Sequence, residues 1–177
     1  MSEELRITDG GSKVAVNECA PVVGRADVLI EAPIATVWRI LSNIGGWPEW
    51  NLRISRMRLD GPVRAGTPFH WTAGSSRIAS CLEEVEPLAR IAWSGTTMGI
   101  RAVHAYDLTA EGMGTRVRTE ESFEGLVARV LRRTLKKRLD QELAEGLAAL
   151  KAEAESQATL DRQRGPCPDT MPAGQLH

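Results

Sequence analysis

The first part of the apolar pattern predicts one strand followed by one short helix. Residues 26–33, ADVLIEAP, predict a strand, and Pro33 ends the run. In residues 32–44, APIATVWRILSNI, apolar side chains recur every three or four positions, and Gly45 and Gly46 follow. This spacing is typical of a short helix that stops at the glycines.

Strand-like runs separated by turn residues occupy the middle of the chain. Breaks such as DGPVRAG and TAEGMG are rich in glycine, and they divide the region at intervals typical of β-hairpins. The runs are ISRMRL, TPFHWTA, SRIASCLEEV, ARIAWSG, IRAVHAYDL and TRVRTEESF. Together they predict an antiparallel meander.

A long helix is predicted between residues 126 and 151, because the apolar residues there form one helical stripe. The stripe consists of Leu126, Val130, Leu131, Leu135, Leu139, Leu143, Leu147 and Leu150. Residues 1–21 are polar, and residues 153–177 contain a stretch rich in proline and glycine, so we expect a flexible N-terminal segment and a disordered C-terminal tail.

These elements predict an α+β domain in which a curved antiparallel sheet of about seven strands wraps round the long helix. Helix side chains cannot fill the whole concave side of such a sheet, and a cavity commonly remains between the two. The pattern therefore favours a container for a small molecule.

Composition narrows the class of protein. With 177 residues, 42% hydrophobic and 25% charged, the chain fits one soluble domain, and no apolar run is long enough for stable membrane insertion. The N-terminal MSEELRITDGGSK lacks the features of a secretory signal, so we expect a cytoplasmic protein. Cys19, Cys81 and Cys167 are not spaced as a redox or metal motif, and we read them as bystanders.

Charge gives no reason to expect a nucleic-acid partner, because the formal net charge is −1. RVLRRTLKKR, residues 129–138, is a local exception that could bind phosphates or an anionic membrane. The simpler interpretation is the solvated face of an amphipathic helix, and helical spacing of its apolar residues favours that interpretation. Nothing in the sequence predicts an oligomeric state.

Five segments, taken in order, resemble the START-like SRPBCC superfamily in its polyketide cyclase/dehydrase branch. They are VLIEAPIATVWRILSNIGGWPEWN, GPVRAGTPFHW, EVEPLARIAWSG, HAYDLTAEGMGTRV and ESFEG. The resemblance covers residues 22–152 and implies a helix-grip fold with an apolar pocket for small hydrophobic ligands. Its members include aromatase/cyclases, lipid carriers and hormone receptors, so the resemblance leaves the activity open.

Two tryptophans, Trp47 and Trp50, lie in the GGWPEWN stretch after the first helix. In a helix-grip fold this loop sits against the mouth of the pocket, where the two rings could cap the cavity. The alternative is that both rings only pack beneath the loop.

Alternation along the strands identifies the side chains that face the concave side. On IRAVHAYDL, the alternate set that contains Arg101 and Asp107 faces water, so His104 and Tyr106 face inward. On TRVRTEESF, the same test places the side chain of Glu121 on the inward face. A hairpin turn at residues 111–113 places His104 opposite Glu121, and counting through the other turns extends the row. The predicted row is Phe69, Ser80, Trp93, His104 and Glu121.

A histidine beside a carboxylate on an apolar wall has a chemical use. The carboxylate favours the protonated imidazole and burial disfavours it, so His104 could give or take a proton near neutral pH. His104, Glu121 and Tyr106 are therefore our candidate catalytic residues for enolisation, cyclisation or dehydration of a poly-carbonyl substrate. The candidate ligand-binding residues are Trp47, Trp50, Phe69, Trp71, Ser80, Trp93, Thr119 and Phe123.

Two alternatives to catalysis stay open. The pair could orient a ligand without reacting, as in a non-catalytic small-molecule or lipid carrier, or it could be purely structural. Other chemistries are disfavoured: His70 alternates onto the face opposite His104, so no metal site is expected, and GPVRAG joins two strands without a helix to bind phosphate. We expect no cofactor and no metal.

Overall fold

A computed structural model describes residues 14–164 as an α+β structure built on one antiparallel sheet of seven strands. The strands are β1 (Val22–Ile30), β2 (Ile54–Leu59), β3 (Pro68–Ala73), β4 (Ser76–Glu86), β5 (Arg90–Thr97), β6 (Ile100–Glu111) and β7 (Gly114–Glu124). The helices are α1 (Ile34–Ser42), α2 (Trp47–Trp50), α3 (Leu126–Val130) and α4 (Arg132–Arg164), and a 3-10 turn, Ile44–Gly46, joins α1 to α2.

The spatial order of the strands is β1-β7-β6-β5-β4-β3-β2. Strands β2 to β7 form a continuous meander, and β1 closes the order by pairing with β7. The predicted fold class, a helix-grip sheet of seven strands around a long C-terminal helix, is confirmed.

Helix α4 lies directly on β1, and a glycine makes this approach possible. A Cβ atom on Gly24 would lie 2.7 Å from Cγ of Leu139 and 3.0 Å from Cδ1 of Leu143, both far inside normal contact distance. These two leucines and Val22 form a compact apolar cluster with almost no exposure. The sheet edge and the helix are therefore in contact with no space between them.

The C-terminal helix is longer than predicted. Residues 153–164 belong to α4, so the prediction of a disordered tail from residue 153 is wrong for this stretch, and residues 165–177 lie outside the described range. Ala154 and Ala158 are buried in the main core. Arg39 of α1 bonds to Gln157 and Asp161. Helix α1 thus supplies the partner surface that orders these last turns.

At its other end the predicted helix is interrupted at Leu131, where φ is −99° and ψ is 19°. The predicted buried stripe also fails here, because Leu126, Val130 and Leu131 are exposed. From Leu139 onward the stripe is buried as predicted. Within residues 126–131, Ala128 is therefore buried while Leu126 and Val130 are largely, and Leu131 half, exposed.

The N-terminal segment that the structure describes, residues 14–21, lies against the sheet. The amide of Val14 donates to Glu84, its carbonyl accepts from Arg90, and the amide of Asn17 donates to the hydroxyl of Ser122. The expected flexible segment is thus tied down over residues 14–21, whereas residues 1–13 lie outside the described range.

Candidate functional site

Aromatic rings from β3, β5 and β6 meet on the concave face of the sheet. The ring of Trp93 lies 6.2 Å from Phe69, 4.5 Å from His104 and 5.8 Å from Tyr106 between centroids. His104 and Tyr106 are stacked at 4.9 Å, with 16° between their planes. We call Phe69, Trp93, His104 and Tyr106 the aromatic row. Alternation brings these rings together because each has the inward parity of its strand.

The predicted pairing of His104 with Glu121 is present. The two residues are direct partners between β6 and β7, and Nδ1 of His104 lies 3.3 Å from Oε2 of Glu121. Nε2 of the same ring lies 2.8 Å from the hydroxyl oxygen of Thr119. Only 9% of His104 is exposed, so both ring nitrogens have protein partners in a largely dry environment.

Hydrogen-bond counting constrains the protons of this group. The Thr119 hydroxyl also lies 3.2 Å from the carbonyl oxygen of Ala105, which can only accept. When the hydroxyl donates to that carbonyl, Nε2 of His104 must carry a proton and donate to Thr119. Nδ1 is then left facing the Glu121 carboxyl group at 3.3 Å, a charge pair whenever the imidazole is protonated.

Tyr106 contributes a phenol beside this pair. Burial raises the pKa of Tyr106 well above its usual value, and the negative charge of Glu121 acts in the same direction. The phenol therefore stays protonated and acts as a hydrogen-bond donor at any physiological pH. A Cβ atom on Gly146 of α4 would lie 3.8 Å from the Tyr106 hydroxyl and 3.9 Å from the Asn51 side-chain amide. The sequence analysis missed Asn51, although it ends the GGWPEWN stretch.

One member of the predicted row has a different partner from the predicted one. Ser80 pairs with Gly95, and Leu82 takes the predicted place opposite Trp93, so the prediction that Ser80 lies beside Trp93 is wrong. The register shifts between Leu82 and Glu84. A regular strand would turn one of two successive glutamates inward, and the bulge lets both face outward.

Ser80 keeps a polar contact on the concave side, since its hydroxyl accepts a hydrogen bond of 3.1 Å from Nε1 of Trp71. Its predicted pairing with Phe69 is confirmed.

Trp47 covers the aromatic row. Its ring centroid lies 5.2 Å from Trp93, 6.1 Å from Phe69 and 6.4 Å from Trp71, and its Nε1 donates to the carbonyl of Leu41 at 2.9 Å. Trp50 is half-buried at the edge of the same core. The two rings therefore differ: Trp47 packs inside the core, and Trp50 lies at the edge of the core.

Phe123 is placed apart from the row. It packs against the Val22, Leu139 and Leu143 cluster under the first part of α4. The other candidate residues, Trp71 and Thr119, lie next to the row through the contacts given above. This apolar cluster around Phe123 is separate from the main core that contains Phe69, Trp93 and Tyr106.

An open groove of about 930 Å³ lies elsewhere, across one end of β2 to β6. Its walls include Arg58, His70, Arg77 and Arg101, which alternation places on the outer face of the sheet. The groove therefore does not coincide with the space above His104.

Within residues 14–164, no group of three or more His, Cys, Asp or Glu side chains is placed to share a metal ion. No helix in this described range has the length and apolar character needed to cross a bilayer.

Comparison with solved structures identifies proteins that share the fold. A hypothetical protein from Helicobacter pylori has a TM-score of 0.71 at 17% identity, covering 80% of this chain and 96% of that one. A START superfamily protein from Mycobacterium smegmatis has a TM-score of 0.68 at 15% identity, covering 76% and 98%. A protein of the dynemicin biosynthetic locus has a TM-score of 0.62 at 17% identity, covering 77% and 48%. At these identities the likeness concerns the fold alone.

No curated protein sequence matches this chain at a significant level. A family profile does match, and its description is "Polyketide cyclase / dehydrase and lipid transport". The match runs over residues 22–155, which is most of the chain and nearly all of the sheet and helix described above. The chain therefore belongs to the polyketide cyclase / dehydrase and lipid transport family.

Proposed function

We propose that this protein binds a hydrophobic or aromatic small molecule between the aromatic row and α4, and that the His104–Glu121 pair moves protons during cyclisation or dehydration of a polyketide-like substrate. The observation that carries the proposal is the buried histidine, hydrogen-bonded to Thr119, 3.3 Å from the Glu121 carboxyl group and stacked among aromatic rings. The family description supports the same class of ligand.

The proposed reaction uses the pair as base and then as acid. The basic partner removes a proton from the carbon next to a substrate carbonyl, and the resulting enolate oxygen accepts a hydrogen bond from the Tyr106 hydroxyl. Attack of the enolate carbon on a second carbonyl closes a ring. The pair returns the proton to the alkoxide oxygen that this attack creates. In dehydration, the pair then removes a second proton from the same carbon and gives it to the new hydroxyl group, so that the C–O bond breaks, a C=C bond forms and water departs. The rings of Trp93 and Trp71 offer apolar faces against which a planar substrate can stack.

Access to this space involves Trp47, because its ring covers Trp93. The ring belongs to α2, a helix of four residues that follows two glycines. We propose that Trp47, with Trp50 at the margin, forms a lid whose displacement admits the ligand.

A non-catalytic carrier is the second candidate, and one observation favours it. Both nitrogens of His104 already have partners within the protein, so the polar wall is satisfied without any reacting group. Such a wall can orient a lipid or aromatic ligand and leave it unchanged.

Substitution of the histidine separates these two functions. His104→Gln keeps the shape and apolar area of the wall, so we expect binding of anthraquinone, measured by quenching of tryptophan fluorescence, to change by less than about threefold. Turnover of a panel of poly-β-carbonyl compounds, followed by absorbance, should fall by roughly a hundredfold or more, as is typical after loss of a general acid or base. Glu121→Gln should lower the rate less, because it removes the partner of the imidazole and keeps the ring.

His70→Gln is the matched control, since His70 is exposed on the outer face and should change neither quantity. If no compound in the panel is converted, and both pocket variants lose anthraquinone affinity in parallel, the protein is a carrier. If wild-type protein does not bind anthraquinone or any related ring system, the proposed ligand class is wrong.

A further inference from the structure

The first part of the C-terminal region exposes three large apolar side chains that the described residues, 14–164, leave largely uncovered. Leu126 and Val130 of α3 are 75% and 71% exposed, and Leu131 is 48% exposed. The helical pattern predicted these residues as part of the buried stripe, yet the stripe becomes buried only from Leu139. A group of exposed large apolar side chains marks an interaction site more often than a single exposed one does.

A neighbouring turn extends this surface. Met98 is 79% exposed and lies with Gly99 in the two-residue turn between β5 and β6. The turn touches α3, because a Cβ atom on Gly99 would lie 3.7 Å from Val127. Met98 also has a φ of 47°, a left-handed conformation that is costly for a long side chain. A residue kept exposed and strained at a turn is a feature typical of functional surfaces.

Basic side chains surround these apolar residues. Residues 125–138 contain six lysines and arginines and no acid. Lys136 and Arg138 pair with Asp140 and Glu142 on the same helix. Among the described residues, no ion pair involves Arg129, Arg132, Arg133 or Lys137, and the three arginines are exposed. We call Met98, Leu126, Val130, Leu131 and these four basic residues the basic corner.

We propose that the basic corner docks the protein on an anionic lipid bilayer, with the apolar side chains entering the interface and the basic side chains contacting lipid phosphates. Peripheral membrane proteins commonly combine apolar anchors of this kind with basic residues. Each basic side chain near an anionic surface adds a similar favourable amount to the binding free energy. A second copy of the chain is a poorer occupant, because two such corners would face each other with like charge. Nucleic acid is also a poorer occupant, because its phosphate backbone would not bury the four exposed apolar side chains.

This docking is peripheral and independent of the ligand proposed above. The wild-type protein is mixed with phosphatidylcholine vesicles that contain either 30% phosphatidylserine or none, and sedimentation measures the bound fraction. We expect binding to the anionic vesicles only, with a marked loss when salt is raised from 0.1 M to 0.5 M.

Two variants test the two parts of the surface. Arg132→Gln with Arg133→Gln should weaken partition to the anionic vesicles by roughly thirtyfold, at about tenfold or less for each charge. Leu126→Ser with Val130→Ser should weaken it by roughly tenfold, because the interface then buries less apolar area. Both pairs are exposed, so circular dichroism and the unfolding midpoint should stay as in wild type.

Matched controls use the other end of the fold. Met113→Ser changes a methionine that is 92% exposed in the turn between β6 and β7, at the far end of β6. Arg162→Gln with Arg164→Gln removes two charges from the last turn of α4. Neither change should alter vesicle binding. His104→Gln should also bind vesicles as wild type does, so this test and the test of the pocket fail separately.

Any one of five outcomes overturns the proposal. Wild type fails to bind anionic vesicles, or binds neutral vesicles equally well. The control variants reduce binding as much as the corner variants. Light scattering shows a dimer that Leu126→Ser with Val130→Ser dissociates, which would make a second copy the occupant. Duplex DNA binds and vesicles do not, which would make the surface a phosphate site for nucleic acid.

Discussion

Helix α4 meets the sheet in two different ways along its length. Over β1 it lies so close that a Cβ atom on Gly24 would come within 2.7 Å of Leu139. Over β6, a Cβ atom on Gly146 would meet only Tyr106 and Asn51, at 3.8 Å and 3.9 Å, which is ordinary contact distance. Both positions are glycine, yet the first is required by lack of space and the second has space for a methyl group.

We therefore expect the two halves of the concave face, over β1 and over β6, to have separate roles. The β1 half is an aliphatic contact that holds the helix to the sheet. The β6 half carries aromatic rings, a hydrogen-bonded histidine and the covering ring of Trp47, and α4 reaches it through Leu147 and Leu150 of the main core. Substitutions in the first half should change stability, and substitutions in the second should change ligand binding.

The largest effect is expected from truncating the leucine that touches Gly24. Leu139 is fully buried, so Leu139→Ala should lower the free energy of unfolding by about 2–5 kcal/mol, measured by urea denaturation. Anthraquinone binding by the folded fraction should be unchanged. A loss of affinity as large as the loss of stability would show that the two halves are one functional unit.

A smaller loss of stability is expected when a methyl group is added to Gly24, on the strand side of the contact with α4. Gly24→Ala forces Leu139 and Leu143 to move, and overpacking of this kind costs about 1–3 kcal/mol of unfolding free energy. Gly45→Ala is the matched control, because a Cβ atom there would meet nothing within 4 Å.

The double variant Gly24→Ala with Leu139→Ala sharpens this test. The new methyl group would occupy part of the space left by the leucine, so the double variant should lose less stability than the sum of the single ones. Strict additivity would contradict the close contact.

The smallest change in stability, with the opposite sign, is expected at Gly146. Alanine is the better helix former, so Gly146→Ala should raise the free energy of unfolding by about 0.5–1 kcal/mol. If the space above Tyr106 receives the ligand, the added methyl group should weaken anthraquinone binding several-fold. Stabilisation with unchanged binding would place the ligand elsewhere.

Two pairs of adjacent glutamates show how far the sequence could predict the site. Glu120 and Glu121 lie in regular alternation on β7, so counting from the turn at residues 111–113 correctly placed Glu121 opposite His104. Glu83 and Glu84 lie at a bulge on β4, and beyond it Ser80 pairs with Gly95, two residues from the Trp93 that counting had placed opposite it. Regular pairing can be counted from the turn that joins two strands. The local arrangement at the bulge involves a neighbouring strand as well, because Glu84 faces outward and bonds with Arg90 of β5.

The helix shows the same division between local and distant causes. A stripe of leucines was enough to predict that a long helix packs against the sheet. It could not show that Leu126 and Val130 lie beyond the surface that the sheet can cover, nor that α1 covers Ala154 and Ala158 and extends the helix to Arg164. Each of these facts depends on where another element ends in space.

The sequence by itself determined the order of elements, the face of each strand and the pairing of His104 with Glu121, because periodicity and turn length act over a few residues. Only the tertiary structure decided that Thr119 accepts from or donates to the second nitrogen of His104 and that Trp47 covers the aromatic row. It also decided that α4 touches β1 at Gly24. These contacts join residues far apart in the chain, and their geometry depends on the curvature of the sheet and the path of the helix.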